Sequence, residues 1–130
     1  MNQRLVHISL VVPDYDEAIE YYTSVIGFRL VEDTPLSPEK RWVLIAPKGD
    51  NNGCMLLLAK ASNEAQQNAI GNQTGGRVFL FLHTDDFERD YASLQKNKVE
   101  FTGPPRSEAH GRVVVFRDKY GNLWDLIQPV

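Results

Sequence analysis

The chain states one plan twice, and that repetition constrains its fold more than any single motif. Residues 5–12, LVHISLVV, alternate as a strand, with Val6, Ile8, Leu10 and Val12 on one face and Leu5, His7, Ser9 and Val11 on the other. PDYDEAIEYYTSVIGF follows, with Ala18, Ile19, Tyr22 and Ile26 at helical spacing, Asp14 as the N-cap and Gly27 as the stop. FRLVEDT, RWVLIAP and CMLLLAK then read as three strands, divided by the loop PLSPEK and the turn KGDNNG. The second half repeats the order. RVFLFLHTDD is a strand, DFERDYASLQKN a helix with Phe87, Tyr91 and Leu94 on one side, and VEFTGPP, RVVVFRD and LWDLIQ are three more strands.

Two modules are therefore expected, about 1–61 and about 77–130, joined by a linker of about 62–76 that opens with a short helix and ends rich in Gly and Asn. HISLVVPDYDE lies over VFLFLHTDDFE, so that His7 corresponds to Val78 and Asp14 to Asp85; GFRLV lies over KVEFT; GCMLLLAK lies over GNLWDLIQ, with Gly53 on Gly121. Modules of this size bury little core alone, so they are expected to pack on each other or on a second chain.

Composition enters as a filter. With 14 Lys+Arg against 17 Asp+Glu and no basic cluster, a nucleic-acid partner is not expected. The longest apolar runs, MLLLA and VFLFL, are too short for a membrane span. MNQRLVHISLVV lacks a signal-peptide layout, and the lone Cys54, read as a small core residue, gives no disulfide framework; a cytoplasmic protein is expected. There is no phosphate-binding glycine loop and no nucleophile elbow, and the carboxylates of DYDE and HTDD are accounted for as helix caps.

HISLVVPD followed by AIEYY and GF at the start, and FRDKYGNLWDLIQP at the end, resemble the vicinal oxygen chelate superfamily of glyoxalase I, extradiol dioxygenases, fosfomycin-resistance enzymes and bleomycin-binding proteins. RWVLIAP, IGNQTGGRVFLFLHTDDF and PPRSEAHGRVVVF further resemble an uncharacterised bacterial subgroup of it. The resemblance implies an α+β, glyoxalase/bleomycin-resistance-like fold, in which two βαβββ modules form a curled mixed sheet around a U-shaped cavity, often in a homodimer. In the superfamily's enzymes a divalent metal sits in that cavity, held by His, Gln or Glu from the first and last strands of each module, and acts as a Lewis acid on vicinal oxygens.

Carried over residue by residue, the first ligand position is His7 and the last-strand position of the second module is Asp125, a carboxylate where the family usually has Glu. The other two positions are Val78 and Leu57, which cannot ligate. The implied cofactor is thus one divalent ion (Fe, Mn, Ni or Zn) on an incomplete set, or none, because a catalytic site normally has about three protein ligands. Glu108, His110, His83 and Gln73 are candidates for a third, and Glu108 also for a catalytic base. Counting by twos from Val78 turns Leu80 and Leu82 to the cavity and Phe79, Phe81 and His83 to the helix, so His83 reads as structural.

The alternative needs no metal. A neutral His7 and Asp125 satisfy each other as a buried pair. Trp42, beside Arg41, is either a stacking platform or a Trp buried against the sheet. Two functions follow. One is a metal-dependent lyase, isomerase or dioxygenase using His7, Asp125 and Glu108. The other is a metal-free small-molecule binding protein with Trp42, Leu57, Val78 and His110 around its pocket. A degenerate module with a structural or regulatory role is the third.

Overall fold

The computed structural model describes Met1–Val130. The backbone divides into two compact units, Met1–Asn68 and Ala69–Val130, and the division falls inside the 62–76 segment.

The first unit contains β1 (His7–Val12), α1 (Tyr15–Glu20) running into a π-helical turn (Tyr21–Ile26), β2 (Arg29–Pro35), β3 (Arg41–Ala46) and β4 (Met55–Lys60). The short helix α2 (Glu64–Ala69) lies at the junction. The sheet order is β1-β4-β3-β2, with β1 parallel to β4 and the other pairs antiparallel. The second unit contains β5 (Val78–His83), α3 (Phe87–Lys96), β6 (Glu100–Phe101), β7 (Arg106–Glu108), β8 (Gly111–Arg117) and β9 (Leu123–Pro129), in the order β5-β9-β8-β6 with β7 also on β8. Each unit thus pairs its first strand in parallel with its last. Even the register repeats: His7 faces Met55 and Val78 faces Leu123, each partner two residues beyond the glycines aligned in the sequence.

In the first unit, Leu10, Val12, Val43, Ile45 and Leu58 are buried together with Tyr15, Ala18 and Tyr22 of the helical segment. The strand alternation then puts His7, Ser9, Leu57, Leu44 and Trp42 on the opposite face. In the second unit, the main-chain N–H of Phe87 in α3 donates to the Gln128 side chain (2.7 Å), and Arg112, Gln128's register partner, lies over the Phe87 ring. Trp124, Leu126, Val114 and Phe116 therefore form the helix-side core, and Asp125, Ile127, Val113 and Val115 form the other face. Each fully buried Leu or Phe here contributes about 1.5–3 kcal/mol.

Strict alternation fails at one place. Val78 pairs with Leu123 but Leu80 pairs with Trp124, so β5 carries one extra residue, a β-bulge at Phe79. Beyond it the phase reverses. Leu80 and Leu82 turn to the helix side, whereas Phe81 and His83 share the face of Asp125 and Ile127, the reverse of the expectation from counting by twos. Phe81 is 64% exposed, which a residue packed under α3 would not be. The same extra residue moves the helix cap. Asp14 accepts from the Glu17 N–H in the first unit, and its counterpart is Asp86, which accepts from the Arg89 N–H, not Asp85.

Three further differences are local. The helix expected as one piece widens into the π-turn, where the Thr23 hydroxyl donates to the Ile19 carbonyl at 2.7 Å and competes for the main-chain ladder; Gly27 ends it at φ 93° as expected. Residues 106–108, read as loop, form the edge strand β7. Cys54 is exposed, not core. Within the linker, Gly71 is fixed: its φ is 71°, and a Cβ there would stand 1.8 Å from the Tyr120 carbonyl oxygen.

The turn between β8 and β9 is organised by Asp118, which is only 4% exposed. Its carboxylate accepts from the main-chain N–H groups of Tyr120 and Asn122, from the Asn122 side-chain amide, and from Trp124 Nε1 at 2.9 Å. Asp118→Ala leaves these donors unpaired and is expected to cost about 3 kcal/mol in urea unfolding; a loss under about 1 kcal/mol would show the network to be dispensable.

Candidate functional site

In the first unit the site is an opening in the sheet. The β3–β4 ladder registers Leu44 with Leu57 and Ile45 with Leu56 and goes no further, although β3 starts at Arg41 and β4 runs on to Lys60. The unzipped stretches, Arg41–Trp42 of β3 and Leu58–Lys60 of β4, border a cavity of about 660 Å3. That volume lies within the range typical of small-molecule sites, roughly 300–1,000 Å3. Trp42 and Leu57, both half-buried, give it an apolar wall. The His7 ring stands edge-on to the Trp42 ring, with centroids 5.9 Å apart and planes at 73°.

The polar side of this wall is held rigid. Arg41 grips Asp33 with two hydrogen bonds, from Nε at 3.1 Å and Nη2 at 2.7 Å, and pairs with Asp16 through Nη1 at 2.9 Å. Its guanidinium lies over the Tyr15 ring, and its main-chain N–H donates to the Tyr15 hydroxyl. The Arg41 hydrogen bond, helped by its charge, outweighs slight burial and holds the Asp33 carboxyl below its usual value. At the far end, Ser62 donates from both its N–H and its hydroxyl to the Gln66 side-chain oxygen. The sequence had marked Trp42 and Leu57; Tyr15 and the lysines of the rim were missed, because nothing in their spacing reveals that the ladder opens.

In the second unit, Asp125 is half-buried and its Oδ1 is buried without a hydrogen-bond partner. Burial raises its carboxyl above the usual value, against the pull of the Arg106 and His110 charges. By register, Val78, Arg106 and His83 lie on the same face as Asp125. Glu108 is not free: its carboxylate accepts from Arg106 Nε at 2.9 Å. Sequence reading placed Asp125 and His110 in this neighbourhood but missed Arg106, although it stands in the same PRSEAHG stretch. It turned His83 away because the bulge is silent in the sequence.

The profile of the Glyoxalase/Bleomycin resistance protein/Dioxygenase superfamily matches residues 4–126. The chain belongs to this superfamily. An uncharacterised protein of Shewanella frigidimarina is 55% identical over 129 residues, covering 98% of this chain and 95% of that one. TnmS3, an antibiotic binding protein from Streptomyces sp. CB03234, has a crystal structure that aligns with a TM-score of 0.76 and 31% identity, covering 99% of this chain and 98% of that one. The mouse mitochondrial methylmalonyl-CoA epimerase is 28% identical over 130 residues, covering 96% of this chain and 72% of its own length.

Against the superfamily's metal chemistry, the donor set falls short. No three His, Cys, Asp or Glu side chains gather into a metal-holding group. In the first unit the apolar Leu57, which cannot ligate, shares the face of His7, whose ring is set against Trp42. In the second, Val78 shares the face of Asp125, and Glu108 is engaged by Arg106. These residues do not fit a resident ion within either unit.

Asp125 itself makes a pH-dependent prediction. A carboxyl raised in the folded chain favours folding below its ordinary value of 3.8, and that contribution is lost as pH rises through the folded value. Asp125→Asn is therefore expected to raise the melting temperature at pH 7, with the gain shrinking as pH falls through the raised folded value and gone below 3.8. A lower melting temperature for the variant at pH 7 would contradict this.

Proposed function

We propose that this chain is a metal-free small-molecule binding protein whose ligand enters the cavity bordered by Trp42 and Leu57. The observation that carries the reading is the opened β3–β4 ladder, which leaves a ligand-sized space against an aromatic wall. The similarity to TnmS3, an antibiotic binding protein at 31% identity over nearly the full chain, supports it. Leu57 and Val78 at two of the four ligand positions support it too, since they suit an apolar guest better than an ion. His7 then acts as a brace for Trp42.

A second reading keeps the superfamily's metal-dependent lyase, isomerase or dioxygenase chemistry, with His7 or Asp125 as a ligand and Glu108 as a further ligand or base. It is favoured by the unpartnered Oδ1 of Asp125. We further propose a cytoplasmic homodimer. Supporting the dimer, Leu5 ahead of the edge strand β1 is 83% exposed, and Val6 and Ile8 are exposed beside it. No helix is long and apolar enough to cross a membrane.

Thermal-shift screening of small aromatic molecules, with and without EDTA, separates the two functions. A ligand is expected to raise the melting temperature by several degrees at saturation, equally in both conditions, and Trp42→Ala is expected to abolish most of the shift. Stabilisation that appears only with added Fe, Mn, Ni or Zn, and that is lost in His7→Ala, would replace this reading with the metal-dependent one.

A further inference from the structure

The cleft between β3 and β4 has a charged rim as well as an apolar wall. Lys40 and Lys60 both border it and both are exposed. Neither ammonium group has an ion-pair partner among the salt bridges of the chain. Arg41, the third cation of the rim, is already neutralised by Asp33 and Asp16. The opposing carboxylate on the rim is Glu39 alone. With Arg41 held by two carboxylates, Lys40 and Lys60 are the cations of the opening that have no carboxylate partner.

The two lysines come from the two strands that part. Lys40 directly precedes β3, and Lys60 ends β4. Continuing the ladder beyond Leu44–Leu57 would bring Arg41 opposite Lys60, placing like charges directly across the strands, an arrangement that destabilises a pair. The wall behind the lysines is the Trp42 and Leu57 surface.

We infer that the ligand of this cleft is a flat, apolar molecule carrying an anionic group, with its ring system between the parted strands against Trp42 and its carboxylate, sulfonate or phosphate between Lys40 and Lys60. This rests on the small-molecule binding reading and names the class of ligand. The anion adds selectivity more than affinity, because exposed ion pairs contribute little each and are screened by salt.

The test uses two probes with the same aromatic skeleton, 8-anilinonaphthalene-1-sulfonate and the uncharged N-phenyl-1-naphthylamine, titrated calorimetrically into the full chain. The sulfonate is expected to bind about fivefold more tightly than the neutral probe. The double variant Lys40→Gln/Lys60→Gln is expected to bring the two within about twofold, leaving the neutral probe's affinity unchanged as the control for folding. About 0.5 M NaCl is expected to do the same to the parent protein. Equal affinities in the parent, or a sulfonate affinity that survives the double variant, would overturn the anionic assignment while leaving the cleft as a binding site. Failure of both probes to bind, or binding by both that ignores Trp42→Ala, would overturn the cleft itself.

Discussion

The parallel pairing of the first strand with the last, made once in each unit, is the constraint from which the rest follows. β1 on β4 and β5 on β9 both require the chain to cross over through a helix and return through an antiparallel run. That crossover dedicates one face of each sheet to the helix. Tyr15, Ala18 and Tyr22 cover it in the first unit, Phe87 and Leu94 in the second, and the deep cores lie beneath them. The other face carries the candidate site residues. His7, Leu57 and Trp42 in one unit, and Asp125, Val78 and Arg106 in the other, stand there because strand alternation allows nothing else.

This explains what could be read from the sequence. The order of the main elements, the repeat, the turn glycines Gly53 and Gly121, and the face of His7 follow from local periodicity and turn chemistry. What could not be read were the places where one residue is added or one ladder stops. The extra residue at Phe79 leaves no compositional mark in VFLFLH, where every position is apolar up to His83, yet it turns Phe81 and His83 over. The early end of the β3–β4 ladder is equally silent, since RWVLIA and MLLLAK are both good strands; only their pairing is incomplete. Binary pattern fixes the face of a strand, not the length over which two strands stay together.

The superfamily's metal site and the cleft are alternative uses of the same scaffold. An ion demands three or so donors converging within a few ångströms, and here the apolar Leu57 and Val78 share the faces of His7 and Asp125 while Arg106 holds Glu108. An apolar guest demands only enclosed space and a few polar anchors. The first unit supplies the space by unzipping two strands, and it keeps the opening firm through Arg41, which ties Asp33 of β2, Asp16 of α1 and the Tyr15 ring to the start of β3. In the second unit the Oδ1 of Asp125 is buried without a hydrogen-bond partner, and burial raises its carboxyl above the ordinary value.

The two tryptophans make the central claim directly measurable, because Trp42 borders the cleft and Trp124 is sealed in the core of the other unit. In an amide-correlation NMR spectrum of 15N-labelled protein, titrated with 8-anilinonaphthalene-1-sulfonate, the account predicts that the Trp42 indole signal and the main-chain signals of residues 41–42 and 57–61 shift, while the Trp124 indole signal stays in place. Shifts confined to the Trp124 indole and the surroundings of Asp125, with Trp42 unmoved, would contradict it.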